Sequence, residues 1–269
     1  MKKNLNKNKN SSGSTTVQEM IRLKNKDEIK RIKDSGRILA EMYDAIKPLV
    51  EPGISSYELD RFARDFVEKR GAKPAFLGYM NYPASLCTSV NEQVIHGIPN
   101  KMKLKDGDIL SLDFGVDYKG YISDSAFTAA VGNISDAAKK LMQVTREALY
   151  LGIKQAVAGK RIQDISHSVY TKAKEYGYGV VREFCGHGVG FDVHEPPQIP
   201  NYVAKGRNPR IRPGMVLAIE PMINAGTGDI RILDDEWTVV TADRKLSAHF
   251  EHTIAVHEDY TEILTSNED

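Results

Sequence analysis

LKDGDILSLD (residues 104–113) and IRPGMVLAIE (residues 211–220) follow one pattern, set 107 positions apart. In each, a turn containing glycine leads into an apolar run that ends on a carboxylate, Asp113 in one and Glu220 in the other. Gly53 and Gly159 keep nearly the same offset, 106, and so do Gly71 and Gly177. A near-constant offset sustained over about 60 residues marks a duplicated unit.

The unit reads as two helices followed by two strands. Ile29, Ile32, Leu39, Met42, Ile46 and Leu49 recur at helical spacing over residues 26–49, and Pro52-Gly53 ends the run. Ser55 and Glu58 form the S-x-x-E capping box of a second helix. Its buried stripe is Leu59, Phe62, Phe66 and Val67, and Gly71 suits its C-terminal cap. Residues 108–117 read as a strand, Tyr118 to Tyr121 as a turn, and residues 122–131 as the returning strand. The second half repeats the order, with helices over residues 135–157 and 162–176 and strands centred on Leu217 and covering 249–256. Asp124 and Glu251 differ by 127, so the second half carries about 20 more residues, mostly within 223–240. These halves, 22–131 and 132–258, predict one α+β domain over residues 17–269. Its curved, mixed but largely antiparallel sheet is covered by helices, and four carboxylates meet at a pseudo-two-fold axis.

Composition narrows the function. A hydrophobic content of 41% with 27% charged residues is that of a globular chain. A formal net charge of +1 gives no field to steer nucleic acid or an anionic membrane. No apolar run approaches the roughly 18 residues of a membrane span. Residues 1–16, rich in Asn, Lys, Ser and Thr, read as a disordered arm that lacks the apolar core of a secretory signal. Its lysines are suited to ribosome or RNA contact. Cys87 and Cys185 belong to no disulfide framework or thiolate zinc motif, which suits a reducing, cytoplasmic compartment.

The chemistry lies in charges set among apolar or glycine neighbours. Asp113 shares a strand face with Ser111, and Asp124 lies on the returning strand of the same hairpin. Taken singly, either reads equally well as an exposed turn residue. His187 stands between Gly186 and Gly188, which allow close backbone approach. Glu220 ends an apolar strand before Pro221, and Glu251 interrupts another. His249 shares a face with Glu251 while His252 points the opposite way, and both are weaker ligand candidates. Four acids and one imidazole suit Mn²⁺, Fe²⁺, Co²⁺ or Zn²⁺ better than a structural zinc site. Two such ions about 3.5–4 Å apart can bridge a hydroxide and polarise a carbonyl, which predicts metal-assisted hydrolysis.

At NEQVIHGIP (91–99), SLDFGVDYKGYISDSA (111–126), FCGHGVGFDVHE (184–195), LAIEPM (217–222) and HFEHTI (249–254) the chain resembles type I methionine aminopeptidases of the pita-bread metallopeptidase superfamily. Prolidases and X-Pro aminopeptidases use a similar ligand set, and NEQVIHGIP with the compact length points to the methionine branch. A pita-bread protein that only binds peptides is the alternative of another class, and it would be expected to lack some of the five ligands. The resemblance implies that Asp113 chelates one ion, that His187 and Glu220 chelate the other, and that Asp124 and Glu251 bridge both. It implies a proton shuttle at Glu220 and hydrogen bonds from His96 and His194 to the scissile peptide. It implies a methionine pocket of Phe76, Tyr79, Tyr82, Cys87 and Trp237. Two departures are expected to rearrange the pocket wall: Val193 stands where some members carry Phe, and Phe76 where some carry Cys. Compensation by Phe191 is the alternative to a rearranged wall. Further expectations from the resemblance are a monovalent cation (Na⁺ or K⁺) at Asn91 and Ser247, a small second residue in the substrate, and nascent chains as partners. Transient ribosome association and a monomeric state are also expected.

Overall fold

The computed structural model describes residues 20–267. The expected arm, residues 1–16, lies outside them. Four α-helices are present among the described residues: α1 (Lys26–Ile46), α2 (Ser56–Glu68), α3 (Asp136–Ile153) and α4 (Ile162–Glu175). The strands of the first half are β1 (Lys73–Pro74), β2 (Cys87–Val90), β3 (Gln93–Ile95), β4 (Ile109–Tyr118) and β5 (Tyr121–Ala130). Those of the second begin with β6 (Gly179–Val180), β7 (Gly186–Gly188), β8 (Glu195–Ile199), β9 (Val216–Ile219) and β10 (Met222–Asn224). They continue with β11 (Ile230–Ile232), β12 (Val239–Thr241), β13 (Ser247–His249), β14 (Glu251–Val256) and β15 (Thr261–Ile263).

Local chemistry sets the helix ends. Asn25 caps α1, and Glu28 closes the box by accepting the Asn25 N–H. The helix stops at Ile46 instead of Leu49, because Pro48 opens a short 3₁₀ turn over Lys47–Leu49. Ser55 caps α2 with Glu58 as the sequence predicts. The β4–β5 turn falls at Lys119 and Gly120, both at positive φ, which suits the twist of a tight hairpin.

The main sheet runs β1-β4-β5-β14-β9-β7-β8, with β2 beside β4 and β15 beside β14. Among the described residues every pairing of named strands is antiparallel. Hairpin β4–β5 meets the β14–β9 pair edge to edge, through β5 and β14.

Alternation gives the sheet two unlike faces. On one, Leu110, Leu112, Phe114 and Val116 of β4 pack against Leu39, Met42 and Ile46 of α1 and Leu59 and Val67 of α2. Leu217, Ile219, Ile254 and Val256 likewise pack against Leu149 and Ile153 of α3 and Ile162 and Ile165 of α4. Burying each of these large side chains is worth roughly 1.5–3 kcal/mol, which ties both helix pairs to one face. Residues 113, 115, 124, 126, 218, 251 and 253 therefore share the other face.

The extra residues of the second half form β10–β12. They build two small sheets, β13-β10-β6 and β11-β12-β3, the latter reaching β3 beside His96. Among the described residues no helix is long and apolar enough to cross a membrane.

Candidate metal centre

Strand register assembles the expected ligands. Asp113 lies opposite Ala126, and Ala126 lies opposite Glu251, so one row across three strands carries two of the carboxylates. Asp124 lies opposite Gly115 and diagonal to Asp113 on the same face. His187 enters through Ala218, its partner on β9, which is in turn opposite Thr253 on β14. Glu220 follows directly after β9. The strand positions among these residues are small: Gly115, Ala126, Ala218 and Thr253. Thr253 holds the β5–β14 seam: its Oγ1 accepts the Asp124 N–H at 3.0 Å and donates to the Asp124 carbonyl at 2.7 Å.

His187 needs both its glycines. A Cβ on Gly186 would sit 2.4 Å from the Ala218 carbonyl oxygen, and one on Gly188 would sit 2.4 Å from that of Pro196. The His187 Nδ1 lies 2.9 Å from the Gly188 carbonyl oxygen, which selects the tautomer with its proton there and leaves the Nε2 lone pair free. Nε2 points at the acids, 3.9 Å from Asp124 Oδ2 and 3.7 Å from Glu220 Oε1.

The electrostatics fit divalent cations. One oxygen each of Asp113, Asp124 and Glu251 is buried without a hydrogen-bond partner, an arrangement that is costly unless a proton or a cation neutralises it. Burial, followed by repulsion from neighbouring carboxylates, pushes Asp113, Glu220 and Glu251 well above the usual carboxylate range, and burial raises Asp124. Burial holds His187 down at about 3, so the imidazole is neutral at neutral pH and could serve as a ligand. Donor atoms of Asp124, His187 and Glu251 lie within 4.8 Å of one another, and so do those of Glu220, His249 and Glu251.

Around these acids the structure gathers the other expected residues. Phe76, Tyr82, Cys87 and Val193 form one buried cluster with Tyr79 and Trp237 packed against it. Cys87 is the β2 partner of Asp113, so this cluster adjoins the acids, and burial pushes its thiol up into an inert form. Phe76 lies over Gly115, where a Cβ would be 2.7 Å from the ring. Tyr82 uses its hydroxyl on the carbonyls of Leu86 and Gly97, which pins the loop carrying His96. His96 stands at positive φ with its ring against Phe184 and Trp237, and burial lowers it to about 4. His194 is 4.3 Å from His187, ring centre to ring centre, and its Nδ1 is 2.9 Å from the Tyr79 hydroxyl.

Some expectations change. Phe191 does not fill the pocket: its ring lies 6.1 Å from Tyr121, with the Arg22 and Lys24 cations 5.2 Å from its centre. Asn91 and Ser247 are adjacent, and their side chains bond to Asp108, Ile109 and Asn224. His252 faces the helices, 2.9 Å from Thr265 Oγ1, as alternation predicts.

His249, a weaker ligand candidate in the sequence, brings its donor atoms within 4.8 Å of those of Glu220 and Glu251, and one further feature went unread. Glu195, next to His194, is fully buried, bound to Lys24 at 2.6 Å, and accepts the N–H groups of Phe191 and Asp192. Alternation already placed His249 on the right face, whereas no local signal joins Lys24 to Glu195 across 171 residues.

Comparison with known proteins follows the same lines. Residues 30–258 match the model of metallopeptidase family M24. Methionine aminopeptidase 1 of Bacillus subtilis is 51% identical over 246 residues, covering 91% of this chain and 99% of that protein. The crystal structure of methionine aminopeptidase from Thermotoga maritima superposes with a TM-score of 0.90 at 41% identity, over 92% of this chain and all of that one. A prolidase from Pyrococcus furiosus shares the fold at 24% identity with a TM-score of 0.74, this chain spanning 66% of its length.

Proposed function

The chain belongs to metallopeptidase family M24, among its methionine aminopeptidases, and is a metal-dependent aminopeptidase; on that premise we propose that it removes the initiator methionine from nascent chains at a two-ion centre. The observation that carries the two-ion reading is the set of orphaned, buried oxygens of Asp113, Asp124 and Glu251, which face one floor with His187 and Glu220. Four carboxylates bring about four negative charges, enough to neutralise two divalent ions.

Asp113 would hold one ion and His187 with Glu220 the other, with Asp124 and Glu251 shared between them, and two such ions would supply an activated water and a polarised scissile carbonyl. Glu220, raised by burial, carries the proton from the attacking water towards the leaving amine. His96 and His194, both neutral at pH 7, hydrogen-bond the scissile peptide and the oxygen that gains charge. Phe76, Tyr79, Tyr82, Cys87 and Trp237 enclose the methionine side chain, where sulfur–aromatic contacts contribute roughly 0.3–1.5 kcal/mol each. The second residue must be small for the peptide to come close to the ions. The substrate places the reaction in the cytoplasm, where transient contact with the ribosome and a monomeric enzyme suffice. The catalytic domain spans residues 17–269 as two duplicated halves, preceded by the 1–16 arm.

Purified protein supplied with Met-Ala-Ser and with an Ala-Pro peptide tests the reading. Cleavage of the first and sparing of the second is expected. Cleavage of Ala-Pro alone would make this an X-Pro aminopeptidase on the same fold.

A further inference from the structure

His249 is the imidazole that the five-residue ligand set leaves unused. Its side chain is 1% exposed, and neither ring nitrogen has a hydrogen-bond partner. A neutral imidazole normally satisfies at least one nitrogen when buried, so two orphans on one ring call for an explanation. Nε2 lies 3.4 Å from Glu220 Oε2 without making a hydrogen bond to it. Two donors bound to one ion at about 2.1 Å and a tetrahedral angle stand about 3.4 Å apart, without any bond between them. Donor atoms of Glu220, His249 and Glu251 converge within 4.8 Å.

The backbone fixes this placement. Thr128 Oγ1 both accepts the His249 N–H and donates to the His249 carbonyl, each at 2.9 Å, and Ser111 Oγ holds that hydroxyl at 2.8 Å. His249 closes β13 opposite Met222, and Phe250 breaks the run before β14 begins at Glu251. The break lets His249 and Glu251 reach the same place from two strands. Burial keeps the ring neutral, with its lone pair available.

We propose that His249 is a metal ligand that shares an ion with Glu220 and Glu251, adding a second imidazole to the centre. The inference rests on the two-ion reading above. It makes the centre asymmetric: the Asp113 side offers oxygen only, while the Glu220 side offers the nitrogens of His187 and His249. Nitrogen donors favour Zn²⁺ and Co²⁺ over Mn²⁺, so the two positions differ in preference.

Calorimetric and visible-absorption titration of the metal-free protein with Co²⁺, Zn²⁺ and Mn²⁺ tests this, comparing wild type with His249→Gln. In the variant, Co²⁺ and Zn²⁺ affinity at one position should fall by about tenfold or more, with a changed Co²⁺ absorption band, while Mn²⁺ affinity changes much less. Identical affinities and spectra would overturn the proposal. X-ray absorption on the zinc-loaded wild type keeps the test open if the variant does not fold. Two imidazoles across the bound zinc are expected, and one alone would exclude His249. A wild type that binds a single ion sinks the two-ion reading, yet the His249→Gln spectrum of that one ion still decides the ligand.

Discussion

The two halves of the sheet carry matching carboxylates but different surroundings. On the first half, Asp113 and Asp124 sit on one uninterrupted hairpin whose register runs without a shift from Ile109–Ala130 to Tyr118–Tyr121. On the second, the corresponding strands are short. Glu220 lies just beyond β9, Glu251 just beyond a break at Phe250, and the β7–β8 pairing shifts register between Gly186 and Gly188. Regular pairing suits a hairpin that presents only oxygens to the centre. The irregular half brings in His187, His194 and His249, because broken strands and glycine-lined loops let side chains from separate segments converge.

The comparison predicts where damage is greatest. Glu220 is placed by the irregular half and given the proton-carrying role, so Glu220→Gln should lower kcat on Met-Ala-Ser by a factor on the order of 10²–10⁴ while circular dichroism stays unchanged. Near-normal turnover would remove Glu220 from that role.

A smaller effect tests how the irregular half is held. Lys24, from the segment before α1, is paired with Glu195 where both side chains are almost fully buried. Lys24→Met leaves the Glu195 carboxylate without its ammonium. It should cost about 3–5 kcal/mol of stability by thermal melting, and raise KM through the displaced His194 loop. An unchanged melting temperature and KM would mean that Arg22 and the two backbone N–H groups hold Glu195 unaided.

The smallest effect asks whether charge is shared across the seam between halves. Burial pushes Asp124 up to about 7, above the roughly 4 of an unfolded chain. A raised carboxylate stabilises the metal-free fold fully below about pH 4, and that contribution is lost as pH rises through about 7. His187 and His249, lowered to about 3, act in the opposite sense, and their contribution is complete above about pH 6.5. Between about pH 6.5 and 8.5 the metal-free protein should therefore melt several degrees lower as pH rises, and Mn²⁺ should abolish the loss. A flat profile without metal would show that burial does not raise Asp124.

Much of this was legible in the chain. The offset between residues 104–113 and 211–220 matched Asp113 with Glu220, although Asp113 lies mid-strand and only Glu220 lies at a strand end, and alternation put His249 with Glu251 and His252 opposite. The alternative in which Phe191 compensates in the pocket wall is not met, because two cations and Tyr121 draw its ring away. Helix α1 ended early at Pro48, a local rule that the apolar spacing of Leu49 had masked.

The sequence by itself determined the periodic parts: helices, strands, caps and the duplicated carboxylates, because these depend on contacts a few residues apart. Tertiary structure decided what depends on separate segments meeting. Thr128 fixes His249, Lys24 neutralises Glu195, and Phe76 lies over Gly115 because the sheet and its connections bring them together, and no periodicity records the position of a partner far along the chain.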